Sequence, residues 1–237
     1  MPSSGVSSGA ARLLPGGPVA QQVLGEVAAE VAALRAVGVT PSLATVLVGD
    51  DDASAGYIRI KQRQADPDKD VDGMHPVNMG RLALGLPGPL PCTPAGIEAL
   101  LAFHGVPVAG REVVVLGRGA TLGRPLAMLL AQKRPTANAA VTVVHTGVAD
   151  WPRYTRRAEI LVAAAGVPGI VRPEHVRPGA VVVGGGVRYE GRRLLPDVDE
   201  SCARVAGAIT PRVGGVGPTT VAMLFRNAVV AAARAVG

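Results

Sequence analysis

Apolar residues recur at helical spacing over residues 19–37, with Val23, Val27, Val31 and Leu34 on one face and Gly38 where a helix should stop. Residues 43–48 form a short continuous apolar run and predict a buried strand. Gly49-Asp50-Asp51-Asp52-Ala53-Ser54 then offers a turn with several N-cap candidates, and residues 55–65 predict a helix carrying Tyr57 and Lys61 on one face. The pattern stops over 65–70, and residues 81–90 read as a Gly/Pro/Leu loop. Thr93-Pro94 sets an N-cap beside proline at the first helical position, predicting a helix to about His104 before Gly105. From there the order is regular: strand 112–116, a glycine-rich turn, helix 124–133, strands 141–145, 160–164 and 180–183, and a last helix ending near Ala235. β-branched apolar runs alternating with helices predict an α/β fold built on a parallel sheet covered on both faces. No repeat of fixed period interrupts this order.

Composition narrows the class. A chain of 237 residues can bury a core without disulfide or metal staples. The 31 Gly and 20 Pro exceed average usage, but they punctuate apolar runs, so they mark turns and not disorder. Lys and Arg number 24 against 18 Asp and Glu, a net charge of +6. Only six aromatics accompany that charge (two Phe, one Trp, three Tyr), too few and too scattered for base-stacking platforms. A basic surface for small anionic ligands is therefore expected, with no nucleic acid and no membrane partner. The longest apolar run, 160–171, is broken by Gly166, Pro168 and Gly169, and residues 1–17 lack the basic start and apolar core of a secretion signal. Cys92 and Cys202 stand apart without CxxC or histidine partners, which predicts neither zinc nor a disulfide and fits a reducing, cytoplasmic setting.

The chemistry concentrates in four places. Val113-Val114-Val115-Leu116-Gly117-Arg118-Gly119-Ala120-Thr121-Leu122-Gly123-Arg124-Pro125 runs strand, three glycines, helix start. That order lets backbone N–H groups meet a pyrophosphate at the positive end of a helix, although the spacing is GxGxxxG and a plain tight turn uses glycine too. The next strand ends Val144-His145-Thr146 with no carboxylate for a ribose 2′-hydroxyl, while Arg118 stands in the glycine loop; NADP is preferred over NAD, with His145 in a supporting role. Asp68, Asp70, Asp72 and Gly73 mimic the start of a calcium loop, but its twelfth position is Met79 and Pro76 lies inside, so no metal is expected and Asp72 stays open for a polar heterocycle. A phenol four residues from an ammonium, as in Tyr57 and Lys61, can orient a lysine for proton transfer, although most such lysines are merely solvated. Gly214, Gly215 and Gly217 before Pro218 make either a close-approach backbone surface or a linker.

Taken in order, Val48-Gly49-Asp50 with Ser54, Tyr57 and Lys61, then Lys69-Asp70-Val71-Asp72-Gly73, Pro91-Cys92-Thr93-Pro94, Gly117-Arg118 and Gly214-Gly215-Val216-Gly217-Pro218 resemble the methylenetetrahydrofolate dehydrogenase/cyclohydrolase family. The resemblance implies two domains: a Rossmann-like NADP domain over 105–210, and an α/β folate-binding domain from 1–104 completed by the C-terminal helix in 211–237. It implies oxidation of 5,10-methylenetetrahydrofolate with NADP⁺ and hydrolysis to 10-formyltetrahydrofolate, in a cytoplasmic homodimer. By the same resemblance Lys61 is the catalytic lysine, Tyr57 its orienting and stacking partner, Asp72 the acid on the pterin, and Gly214, Gly215 and Pro218 further substrate contacts. Gly117, Arg118, Gly119, Gly123, His145 and Thr146 are the implied cofactor contacts. Readings of other kinds are a dehydrogenase-only or weakened relative, and a basic nucleotide- or nucleic-acid-binding module without catalysis.

The family has about 40 residues between the lysine helix and the Lys-Asp-Val-Asp-Gly motif, including a glutamine that assists the lysine; here Lys69 follows Lys61 closely and the glutamine has no counterpart. Either a segment is omitted, as the cost of deleting packed sheet favours, or the chain has lost it. The family's Gly-Arg-Ser is Gly117-Arg118-Gly119, its Asp-Val-Gly is Gly184-Gly185-Gly186, its Gly-Asp-Val is Pro196-Asp197-Val198, and its Pro-Val-Pro-Gly-Gly is Pro211-Arg212-Val213-Gly214-Gly215.

Overall fold

The computed structural model describes residues 10–43, 66–191 and 193–235. The strand expected over 43–48 and the helix expected over 55–65, with Tyr57 and Lys61, lie outside the described residues. In chain order the elements are β1 (Arg12–Leu13), α1 (Gly17–Ala36), α2 (Pro76–Leu84), α3 (Cys92–Phe103), β2 (Glu112–Leu116), α4 (Gly123–Leu130), β3 (Ala140–Val144), the short α5 (Pro152–Thr155), β4 (Ile160–Ala163), β5 (Val181–Gly184), β6 (Val187–Glu190), β7 (Arg193–Pro196), β8 (Ala208–Ile209) and α6 (Val216–Arg234).

Six strands form one parallel sheet in the order β1-β8-β5-β4-β2-β3, and β6 pairs antiparallel with β7 as a separate hairpin. The central strands β2, β4 and β5 are buried on both faces because they are almost continuous apolar runs, whereas the edge strands β1 and β3 are largely exposed or half-buried. On β2, Val113 and Val115 point toward Ile97, Leu100, Leu126 and Leu130 of α3 and α4. Val114 and Leu116 point the other way, toward Leu161, Val171, Val182 and Cys202. Each such side chain, removed fully from water, contributes about 1.5–3 kcal/mol.

A helical layer made by α1, α3 and α6 sits beside the sheet, closed by Val23, Val27, Ala95, Ala222, Met223 and Val229. Helices α3 and α6 approach closely at Gly96, where a Cβ would fall 2.5 Å from Thr219 Oγ1. By length and composition α6 could cross a membrane, but Ala222, Met223 and Val229 are buried against α1 and α3.

The loop expected over 81–90 is a loop only beyond Gly85. Helix α2 precedes it, capped by His75 Nδ1 accepting from Val77 N at 3.2 Å and ended by Gly85 at φ +68°. Its buried face is Asn78 and Leu82, a polar and an apolar residue, so hydrophobic periodicity does not reveal it.

Candidate functional site

In a parallel sheet every strand delivers its carboxyl end to the same edge. Gly117, His145, Ala164, Gly185 and Thr210 follow β2, β3, β4, β5 and β8 and therefore share one edge. The chain leaves β2 to β3 on one side and crosses back to β4 on the other, so a crevice opens between the loops after β2 and β4.

Gly117, at φ +135°, forms the floor of that crevice: a Cβ there would fall 2.0 Å from the Ala164 carbonyl oxygen. Gly123 begins α4 and lies against Gly117, whose oxygen would be 2.3 Å from an added Cβ. Gly119 faces open space. The first and third glycines are thus required by backbone approach, and the second is not. The loop is tied down by Gly117 N donating to Val144 O at 2.8 Å, Arg124 N to Gly119 O at 3.1 Å and Arg124 Nε to Arg118 O at 2.8 Å. Among the described residues, the backbone N–H groups of residues 118–122 donate to no carbonyl, which leaves them for an anion at the α4 N-terminus.

Arg118 and Thr146 are exposed and His145 is half-buried, its Nδ1 accepting from Gly147 N at 3.1 Å. Cation, hydroxyl and imidazole thus flank the crevice where an NAD site has a carboxylate. A cavity of about 630 Å³ on the outer side of the β4 loop, lined by Pro168, Gly169 and the Arg212–Glu200 ion pair, contains none of the glycine-loop residues.

A second cluster builds around residues 70–73. Asp70 organises the turn, accepting from Gly73 N at 3.1 Å, His75 N at 2.7 Å and Asn78 Nδ2 at 2.9 Å. Gly73, at φ +72°, brings the turn so close to the 90–91 backbone that a Cβ would fall 2.4 Å from Leu90 O. Asn227, on α6, donates to Val71 O and Leu90 O, both at 2.9 Å, and locks turn, α3 entry and last helix together. Asp72 follows at the surface. The protein around its carboxyl raises the pKa above the ordinary aspartate value, Asp70 adds to the rise, and a hydrogen bond with Cys92 opposes it.

Gly214, at φ +74°, accepts from Gly16 N at 2.8 Å, and Gly215 leads into α6 with Pro211 O where a Cβ would go. Thr220 Oγ1 donates to Thr93 Oγ1 at 3.2 Å, so the glycine segment, Pro218 and the start of α3 lie together. The segment is packed backbone and not a linker. Gly185 joins the two clusters, since a Cβ there would meet Leu122 of the glycine loop and Ile97 of α3.

A profile of the tetrahydrofolate dehydrogenase/cyclohydrolase NAD(P)-binding domain matches residues 91–236, and one of the catalytic domain of the same family matches residues 14–69. The chain belongs to the tetrahydrofolate dehydrogenase/cyclohydrolase family. Bifunctional protein FolD 1 of Salinispora tropica is 70% identical, covering 96% of this chain and 93% of its own. Bifunctional protein FolD of Syntrophotalea carbinolica is 49% identical over 94% of this chain and 96% of its own. The crystal structure of the Trypanosoma brucei dehydrogenase-cyclohydrolase, complexed with NADP cofactor and inhibitor, superposes with a TM-score of 0.82 at 32% identity, covering 96% of this chain and 99% of that one.

The tetrahydrofolate dehydrogenase/cyclohydrolase family implies NADP, and the crevice fits a dinucleotide: Gly117 and Gly123 allow a backbone packing that any Cβ would break, and the N–H groups of residues 118–122, unpaired among the described residues, are available to an anion. The alignment with the Salinispora protein runs 284 positions against a chain of 237, so at least 47 of them face no residue here. The full sequence runs unbroken from Lys61 to Lys69. The expectation of an omitted segment is therefore corrected, and the shortening belongs to the chain.

Sequence reasoning missed Asn227, and it met Asp197 only as the aspartate of Pro196-Asp197-Val198, without a role. Both act through backbone groups distant in sequence, which no local spacing reports.

Proposed function

We propose that this protein oxidises 5,10-methylenetetrahydrofolate to the 5,10-methenyl form with NADP⁺ and hydrolyses the product to 10-formyltetrahydrofolate. The observation that carries this reading is 70% identity, across 96% of the chain, to a protein named as bifunctional FolD. The glycine cradle between β2 and β4 and the backbone-bonded cluster around Asp72 and Asn227 support it from the structure.

When bound, NADP⁺ accepts a hydride from the one-carbon bridge. Gly117 and Gly123 let the loop pack closely enough to present the N–H groups of residues 118–122 to the pyrophosphate, Gly119 leaves the space beside them open, and Arg118, His145 and Thr146 offer a cation and donors to a 2′-phosphate. Asp72 holds the polar edge of the pterin, and Gly214, Gly215 and Pro218 shape the opposite wall. In hydrolysis water adds to the cationic methenyl carbon, the bond from that carbon to N5 breaks, and Lys61, oriented by Tyr57, carries a proton from the added water to the departing N5. The assisting glutamine has no counterpart, so hydrolysis is the step the short connection touches.

The proposed division is a folate domain over 1–104 with 211–237 and an NADP domain over 105–210, acting as a cytoplasmic homodimer on a folate substrate. The two cysteines, both buried and free, fit a reducing compartment. The test is an absorbance assay with 5,10-methylenetetrahydrofolate and either NADP⁺ or NAD⁺, following reduced cofactor and methenyl decay separately. Turnover faster with NADP⁺, lost in Lys61→Ala with NADP⁺ affinity retained, is the expected result; a flat trace with both cofactors overturns the assignment.

A further inference from the structure

Asp197, at the end of the β6–β7 hairpin, has a wholly buried side chain. Its Oδ2 accepts from Ala165 N at 2.7 Å and Gly166 N at 2.9 Å, the two residues after the carbonyl that abuts Gly117. Its Oδ1 is also buried and finds no hydrogen-bond partner among the described residues. The backbone around it is equally committed: Asp197 N donates to Gly186 O at 3.0 Å, Val171 N donates to Asp197 O at 3.0 Å, and Gly185 N and Gly186 N both donate to Ala163 O. Gly186 leaves no room for a side chain, since a Cβ there would fall 1.9 Å from Asp197 Oδ2.

A carboxylate that only capped a turn would sit in water with both oxygens satisfied. This one is buried with one oxygen unpaired, at a cost in free energy, and spends its other oxygen on two successive N–H groups. Those N–H groups set the backbone path of residues 164–166, with Gly166 at φ +67°, and that path is the wall facing Gly117. We infer that Asp197 is a positioning residue for NADP⁺: its carboxylate holds the loop after β4 at the width that admits the dinucleotide. The inference rests on the functional reading above, because it takes NADP⁺ as the occupant of the crevice.

The test compares wild type, Asp197→Ala, Asp197→Asn and Gly186→Ala by calorimetric NADP⁺ titration and by amide hydrogen exchange of the ligand-free protein. In Asp197→Ala the Kd for NADP⁺ should rise at least tenfold and the Ala165 and Gly166 amides should exchange at least tenfold faster, with the β4 strand amides unchanged. Asp197→Asn should stay within threefold of wild type in both, because its amide oxygen still accepts both N–H groups. Gly186→Ala, which displaces the carboxylate without removing it, should weaken NADP⁺ as Asp197→Ala does and decides the matter if that variant fails to fold. Unchanged NADP⁺ affinity in Asp197→Ala or Gly186→Ala, or an Asn variant as weak as the Ala variant, overturns the inference alone. A wild-type chain that binds no NADP⁺ overturns both it and the functional reading.

Discussion

Gly117 and Ala164 meet at the floor of the crevice so closely that a Cβ on the first would lie 2.0 Å from the carbonyl oxygen of the second. Two residues away, Gly119 faces nothing within contact distance. The glycine loop therefore contains one position fixed by backbone contact and one free of it, although sequence presents them as equivalent.

Gly117→Ala should lower stability by about 1–3 kcal/mol through overpacking and abolish measurable NADP⁺ binding, because the loops after β2 and β4 must part. Gly119→Ser, which restores the family's hydroxyl near the phosphates, should fold as wild type and bind NADP⁺ equally or more tightly. Calorimetric titration and thermal melts of both variants check the contrast; equal damage at the two positions would contradict it.

Asn227→Ala should cost about 1–3 kcal/mol, since the carbonyls of Val71 and Leu90 lose their donor in a partly buried place. The damage should be directional. The turn bearing Asp72 is released from α6 while the glycine loop is untouched, so the KM for the folate substrate should rise and NADP⁺ affinity should hold. Denaturant unfolding and steady-state kinetics together measure this, and a variant weakened equally toward both ligands would disprove the separation.

The sheet was legible because its strands are continuous apolar runs: β2 is where the pattern places it, and β3, β4 and β5 differ by a residue at their ends. Strand β1 and its neighbour β8 were not legible, since two residues carry no period and their pairing joins Arg12 to Ala208 across most of the chain. Helix α2 escaped because its inward face includes Asn78, whose burial is made tolerable by Pro67 O and Asp70 Oδ2 accepting from its amide. The same cause hides the positioning residues. Asp197 and Asn227 look like ordinary polar residues until the fold brings Ala165, Gly166, Val71 and Leu90 to them.

Neither thiol should react in the folded protein. Burial pushes Cys92 up to about 12, with Asp72 adding to the rise, and pushes Cys202 up to about 11. The thiolate is the reactive form, so at pH 8 both side chains should resist a disulfide reagent that titrates two thiols at once in guanidinium. Rapid native labelling of either cysteine would show that its surroundings open.

Two carboxylates should tilt the pH dependence of stability in opposite directions. Glu159 accepts from Glu112 N at 2.9 Å and from Arg111 at 2.7 Å, and these bonds, the backbone one foremost, hold its pKa below the ordinary glutamate value. The unfolded chain binds the proton first as pH falls, so its contribution is complete above the unfolded pKa of about 4.3 and is lost as pH drops through the lower folded value. Asp197 is the reverse: burial raises its pKa against the opposing N–H groups of Gly166 and Ala165. Its contribution is complete below the unfolded value of about 3.9 and is lost as pH rises through the folded value. Glu159→Gln should therefore flatten the fall in melting temperature between pH 5 and pH 3, and Asp197→Asn should steepen it by removing the compensating slope. Melting curves at half-unit steps across that window give the two signs directly, and parallel shifts in both variants would rule out the linkage.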